Sequence, residues 1–143
     1  MTKQLIPVNS LSRHIAPIAE EMAKRACEVI ASGYFVLGPN VSEFEREFAA
    51  YCGANHCIGL GNGTDALELA LKGVGVEAGD SVVICANAAM YSATAVLACG
   101  ATPIFIDIKE DATMDPEAFE DAIHNASSPI KGGYFDSLVW PTR

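Results

Sequence analysis

A glycine-rich turn, Gly59-Leu60-Gly61-Asn62-Gly63-Thr64-Asp65, runs straight into the amphipathic stretch Ala66-Leu67-Glu68-Leu69-Ala70-Leu71, and no other stretch of this chain constrains its fold as much. Cys57, Ile58 and Leu60 form a short apolar run that the glycines cut off, which reads as the end of a buried strand at about residues 55–60. Past the turn, Leu67, Ala70, Leu71 and Val74 recur on one helical face. Asp65 and Glu68 near the start and Lys72 near the end suit the dipole of a helix running in that direction. A helix that begins this way presents unpaired backbone N–H groups, and glycines let an anion come close to them. Two readings follow: a phosphate cradle, or an ordinary strand-to-helix turn.

The rest of the chain repeats the same alternation. Gly79-Asp80 turns into a nearly continuous apolar strand, Ser81–Ala86, of the kind that is covered on both faces in α/β sheets. A helix is expected over Ala89–Cys99, stopped by Gly100, and a third strand at about residues 102–107, centred on Ile104, Phe105 and Ile106. Asp115-Pro116 gives a last helix its cap and first residue, with Phe119, Ala122 and Ile123 facing inward. Strand and helix in alternation predict a parallel α/β sheet. Upstream, a helix is expected from Pro17 to Ala31 with Ile18, Met22, Ala26, Val29 and Ile30 as its apolar stripe, ended by Ser32-Gly33. The aromatic loop Tyr34-Phe35-Val36-Leu37-Gly38-Pro39 follows. The next helix is expected to open with a capping box, Asn40-x-x-Glu43, and to bury Val41, Phe44, Phe48 and Ala49.

Composition narrows the function by exclusion. The net charge of −9 and the pI near 4.6, with no cluster of lysines or arginines, argue against nucleic acid as a partner. The overall field also repels anions, so any anionic ligand depends on local donors. No apolar run reaches the length of a membrane span, and no hydrophobic signal core opens the chain, so a cytoplasmic protein is expected. The odd count of 5 cysteines, with Cys52, His56 and Cys57 matching no common zinc spacing, reads as reduced packing residues. His14, ahead of the first helix, reads as solvated.

Among phosphate-binding patterns, the P-loop fails because no lysine stands in or beside the turn. Gly61-x-Gly63-x-x-Ala66 fits a loose dinucleotide fingerprint, yet the strand Ser81–Asn87 ends without the acid that would hold the ribose. A dinucleotide-binding module taking NAD stays open as an alternative.

Three longer segments, FVLGPNVSEFEREFAAYCG, GNGTDALELAL and ANAAMYSATAVLACGATPIFIDI, resemble the DegT/DnrJ/StrS family of pyridoxal-phosphate-dependent sugar aminotransferases in order and approximate spacing, over about residues 5–123. The resemblance implies the N-terminal part of a fold-type-I transferase large domain, a three-layer α/β/α arrangement whose sheet is incomplete here. It implies that the amides around Gly63, Thr64 and Asp65, with the Thr64 hydroxyl, hold the phosphate of pyridoxal 5'-phosphate. It also points to Tyr91 as the residue stacked on the cofactor ring, although the family often places its aromatic residue where this chain has Ala89. The helix from Pro17 is implied to face a partner subunit in a homodimer. The implied substrates are a nucleotide-linked keto-sugar and an amino-acid donor, glutamate or glutamine.

The family's Schiff-base lysine and the acid facing the pyridine nitrogen are expected beyond residue 143. Residues 124–143 depart from the family pattern and read as a divergent tail, in which Ser128-Pro129-Ile130-Lys131-Gly132-Gly133 only faintly echoes the lysine segment. The chain by itself is therefore expected to be inactive. A non-catalytic piece that binds an intact homologue is the remaining alternative.

Overall fold

The computed structural model describes Pro7, residues 9–126, and the backbone of 130–135 and 138–141. It divides into two compact units, residues 1–59 and 60–143.

The first unit is helical. A short helix α1 (Ser12–Ile15) and a 3-10 turn (Ala16–Ile18) lead into α2 (Ala19–Ser32), and α3 (Pro39–Cys52) follows the aromatic loop. Both longer helices stop at a glycine in the left-handed region, Gly33 (φ 72°) and Gly53 (φ 66°), a conformation that costs other residues a Cβ clash. Pro17 lies in the 3-10 turn rather than in the first turn of a continuous helix. The expected capping box does not form. Pro39 already fits the first helical position, Gly38 is the cap without a side-chain bond, and Glu43 turns to Arg46 instead. The expected buried face of α3 is likewise reduced to Ala49, with Phe44 55% and Phe48 46% exposed. Among the described residues of this unit no strand lies against the helix, and the two rings stack on each other, centroids 5.5 Å apart.

Residues 55–60 correct the sequence reading: they form no strand. A strand is defined by the neighbour that takes its N–H and C=O groups, and no strand of the described residues pairs here. The Gly59 amide donates instead to the Glu45 carboxylate on α3 (2.7 Å).

The second unit holds the sheet. Its elements are α4 (Gly63–Gly73), β1 (Ser81–Cys85), α5 (Tyr91–Ala98), β2 (Thr102–Ile106), α6 (Pro116–Asn125), β3 (Ile130–Phe135) and β4 (Leu138–Pro141). The strand order is β2-β1-β3-β4, with β1 parallel to both neighbours and β4 antiparallel to β3. Parallel pairing was expected from the alternation of strand and helix. The backbone of β3, which continues the sheet beside β1, comes from the segment read as a tail. The side chains of Lys131, Phe135, Leu138 and Trp140 lie outside the described residues.

Every residue of β1 is buried, and its alternation feeds two cores. Val82 and Ile84 join Leu71 of α4, Val76, Ala95 and Val96 of α5, Cys99 and Ala101. Val83 and Cys85 join Ile106 and Met114, with Phe119 and Ala122 of α6 packed against them. Each fully buried Leu, Ile or Val here contributes about 1.5–3 kcal/mol before conformational entropy is subtracted. Ile123, expected on the inner side of α6, is 42% exposed.

The connection from α5 to β2 depends on Gly100. Its φ of 72° is left-handed, and a Cβ there would sit 2.9 Å from the Cβ of Ala78. Asp80 supports the same corner, its carboxylate accepting from the Glu77 amide (2.9 Å) and its carbonyl from the Thr102 amide (2.8 Å).

Candidate cofactor phosphate site

The helix α4 begins where the glycine turn ends, and Asn62 starts it. Its backbone is extended (φ −161°, ψ 170°), and its side-chain oxygen accepts from the Asp65 amide at 3.0 Å. Its backbone carbonyl accepts from the Ala66 amide at 3.2 Å. Of the helix's first amides, Asn62 therefore engages the third and fourth. Gly63 and Thr64, the first and second, donate to nothing among the described residues. Both amides stand at the positive end of an 11-residue helix, which favours an anion there. Apart from its chain neighbours and the backbone of its own helix, no described atom lies within 4 Å of the place a Cβ on Gly63 would take, so that approach is open.

This opening belongs to a cavity of about 490 Å³ lined by Asn62, Gly63, Thr64, Leu67 and Tyr91. Its volume falls in the range of small-molecule sites, about 300–1,000 Å³. Tyr91 is the first residue of α5 and is 61% exposed. It reaches the cavity because α5 packs on α4 through Ala95, Val96 and Leu71. The thiol of Cys99 adds a weak tie to the Glu68 carbonyl of α4 (3.7 Å). Burial pushes the pKa of that thiol up, which leaves Cys99 a packing residue rather than a nucleophile.

Of the residues the sequence singled out, Gly63, Thr64 and Tyr91 line one cavity. Asp65 is not among the lining residues: its amide is held by the cap, and its carboxylate accepts from the Asn62 side-chain NH2 at 2.9 Å. Two lining residues were not foreseen. Asn62 precedes the first helical residue, the usual station of a capping side chain, and that position was its signal. Leu67 was read only as core.

Among the described residues no lysine, arginine or histidine lines the cavity. What it offers is two backbone N–H groups, a hydroxyl, an aromatic ring and an apolar wall. That donor set fits a phosphate joined to a flat ring, with the amides and Thr64 hydroxyl toward the oxygens and Tyr91 beside the ring. It supplies binding and orientation; of the described side chains that line the cavity, only the two hydroxyls could exchange a proton.

Elsewhere the possibilities are thinner. A groove of about 390 Å³ in the first unit is lined by Glu45, Arg46, His56 and Cys57 among others. Among the described residues no group of histidines, cysteines and carboxylates is placed to hold a metal, and no helix is long and apolar enough to cross a membrane. His14 is exposed, and so is Asp107, which follows β2.

Comparison with known proteins shows the family and the fold. The profile of the DegT/DnrJ/EryC1/StrS aminotransferase family matches residues 17–131. A dTDP-3-amino-3,4,6-trideoxy-alpha-D-glucose transaminase of Streptomyces venezuelae is 40% identical over 119 residues, which is 82% of this chain and 31% of that protein. The crystal structure of S. venezuelae DesV superposes with a TM-score of 0.78 at 38% identity, covering 85% of this chain and 33% of the other. Bacillus subtilis NtdA, solved with its cofactor PMP bound, gives a TM-score of 0.76 at 31% identity over 85% of this chain and 29% of its own. The chain thus spans about a third of the length of the relatives it matches.

Proposed function

This chain belongs to the DegT/DnrJ/EryC1/StrS aminotransferase family, and we propose that its own share of the family's chemistry is to seat the phosphate and ring of the cofactor. Members of the family depend on pyridoxal phosphate, and the fold here is the N-terminal part of their large domain. When bound, the cofactor supplies the electron sink through which an amino group passes from donor to keto-sugar.

The observation that carries the proposal is the single cavity onto which Gly63, Thr64 and Tyr91 converge. The Gly63 and Thr64 amides and the Thr64 hydroxyl bind phosphate oxygens. Asp65 is the hinge between this cradle and its cap, and Tyr91 fixes the tilt of the ring. Because the chain's net charge is −9, these local dipoles offset a repelling field, which makes the aim of each donor matter.

The reaction proposed for the whole protein is transamination of a nucleotide-linked keto-sugar, in keeping with relatives named as dTDP-sugar transaminases. Glutamate or glutamine is the proposed donor. Residues 1–123 form the family part and 124–143 a divergent tail. No lysine or acid of residues 1–143 is given the Schiff-base or pyridine-nitrogen role, so the chain alone is proposed to turn over no substrate. A homodimer in the cytoplasm completes the proposal, supported by the exposed apolar side chains of Ile18, Met22 and Ile30 and by cysteines that are all free.

The test is thermal unfolding of the chain with pyridoxal phosphate, pyridoxal or NAD. Stabilisation by pyridoxal phosphate above that by pyridoxal is expected, with none by NAD. Stabilisation by NAD alone would refute the proposal in favour of a dinucleotide module.

A further inference from the structure

Asn62 carries more than a helix start. Its side-chain oxygen takes the Asp65 amide (3.0 Å) while its NH2 group donates to the Asp65 carboxylate (2.9 Å), so one carboxamide grips both ends of the same residue. The second bond has a consequence for an anion. Asp65 is the third residue of α4, one position beyond Thr64, and its negative charge stands beside the amides that receive the phosphate. The carboxylate lies toward the turn, 3.5 Å from the place of a Cβ on Gly61. Left unrestrained, it could swing over the helix start and accept from the Gly63 or Thr64 amide, as acidic side chains do at N-termini. That would fill the cradle from within and place like charge against the phosphate.

We propose that Asn62 is a positioning residue of the phosphate site: by binding the amide and carboxylate of Asp65 together, it keeps the Asp65 charge out of the cradle and leaves the Gly63 and Thr64 amides to the cofactor phosphate. The proposal rests on the cradle reading above. It explains why an acidic residue is tolerated one position from a phosphate site in a chain already at −9. It also distinguishes asparagine from other good caps, since Ser and Asp also accept from the third amide but neither offers the NH2 donor.

The test uses the full chain and compares wild type, Asn62→Ser, Asn62→Asp and the charge-exchanged double variant Asn62→Asp/Asp65→Asn. Binding of pyridoxal phosphate and of pyridoxal is measured by fluorescence titration, alongside thermal unfolding without ligand. Ser and Asp both cap well, so the unfolding midpoints should stay close to wild type. Pyridoxal phosphate affinity should fall several-fold in Asn62→Ser and by about tenfold or more in Asn62→Asp, where a second carboxylate joins the first. Affinity for pyridoxal, which has no phosphate, should not change. The double variant restores a carboxylate–carboxamide pair and should recover much of the loss.

Equal losses for the two ligands, or an Asn62→Asp variant that binds pyridoxal phosphate like wild type, would overturn the role given to Asn62 alone. If wild type binds pyridoxal phosphate no better than pyridoxal, the cradle reading falls, and this inference with it.

Discussion

Leu71→Ala tests whether the helix behind the cradle is anchored as described. Leu71 lies two turns into α4, is 1% exposed, and packs with Val76, Val82, Ile84, Ala95 and Val96. The substitution deletes a branched group equivalent to about three buried carbons, worth about 2.4 kcal/mol at about 0.8 kcal/mol per carbon. The space left between β1 and the two helices adds a cavity cost, because a parallel strand fixed on both sides cannot close over it. The expected loss is about 3–4 kcal/mol, inside the span of about 2–5 kcal/mol for such changes. Urea unfolding followed by far-ultraviolet circular dichroism measures it, reading the midpoint at constant slope. A domain of this size commonly has about 5–15 kcal/mol in total, so the variant should be partly unfolded in weak denaturant or in none. A loss below about 1 kcal/mol would show that α4 does not pack on β1 and that the cradle is not held in place.

Three further outcomes are expected. Asp115→Ala removes the carboxylate that accepts from the Glu117 amide (2.9 Å) at the start of α6 and should cost about 1 kcal/mol, whereas Asp115→Asn should cost little in the same urea assay. Bonds from the Thr113 hydroxyl and amide, then from Lys109, hold the exposed Asp111 carboxyl down to about 2 from 3.8. A lowered folded value means that its contribution is complete above about pH 4 and lost as pH falls toward 2; carbon-detected NMR titration of Asp111 reads the value, and Thr113→Val should raise it. Borohydride reduction of the chain with pyridoxal phosphate should leave no single stable adduct by mass analysis, and one on Lys131 that disappears in Lys131→Ala would overturn the expectation that no lysine of residues 1–143 forms the Schiff base.

What was legible in the sequence is what local chemistry dictates. The cap and proline at Asp115-Pro116, the unbroken apolar run of β1, the glycine stops at Gly33 and Gly53, and the helix after Asn62 all depend on neighbours within a few residues. The misreadings depend on partners distant in the chain. Residues 55–60 have a strand's composition, but pairing requires a neighbour that the described residues do not supply. Phe44 and Phe48 have the period of a buried face, yet periodicity shows which residues share a side and not whether anything covers it. Ile130–Phe135 offers the opposite case, a segment with two adjacent glycines, weak in strand propensity, that joins the sheet because β1 presents an open edge. At the site, the turn left a cradle and an ordinary turn both open, and Gly63 and Thr64 were named through the family resemblance of GNGTDALELAL. That Asn62 divides the amides, sparing the first two, became visible only from the bond lengths.

The central claim is that the Gly63 and Thr64 amides receive the cofactor phosphate, and amide NMR measures it most directly. Titrating the 15N-labelled full chain with pyridoxal phosphate should move the Gly63 and Thr64 resonances first and furthest. Asp65 and Ala66, held by Asn62, should follow weakly, and inorganic phosphate should move the same pair at higher concentration. If Gly63 and Thr64 stay fixed while resonances elsewhere move, the phosphate site has been assigned to the wrong place.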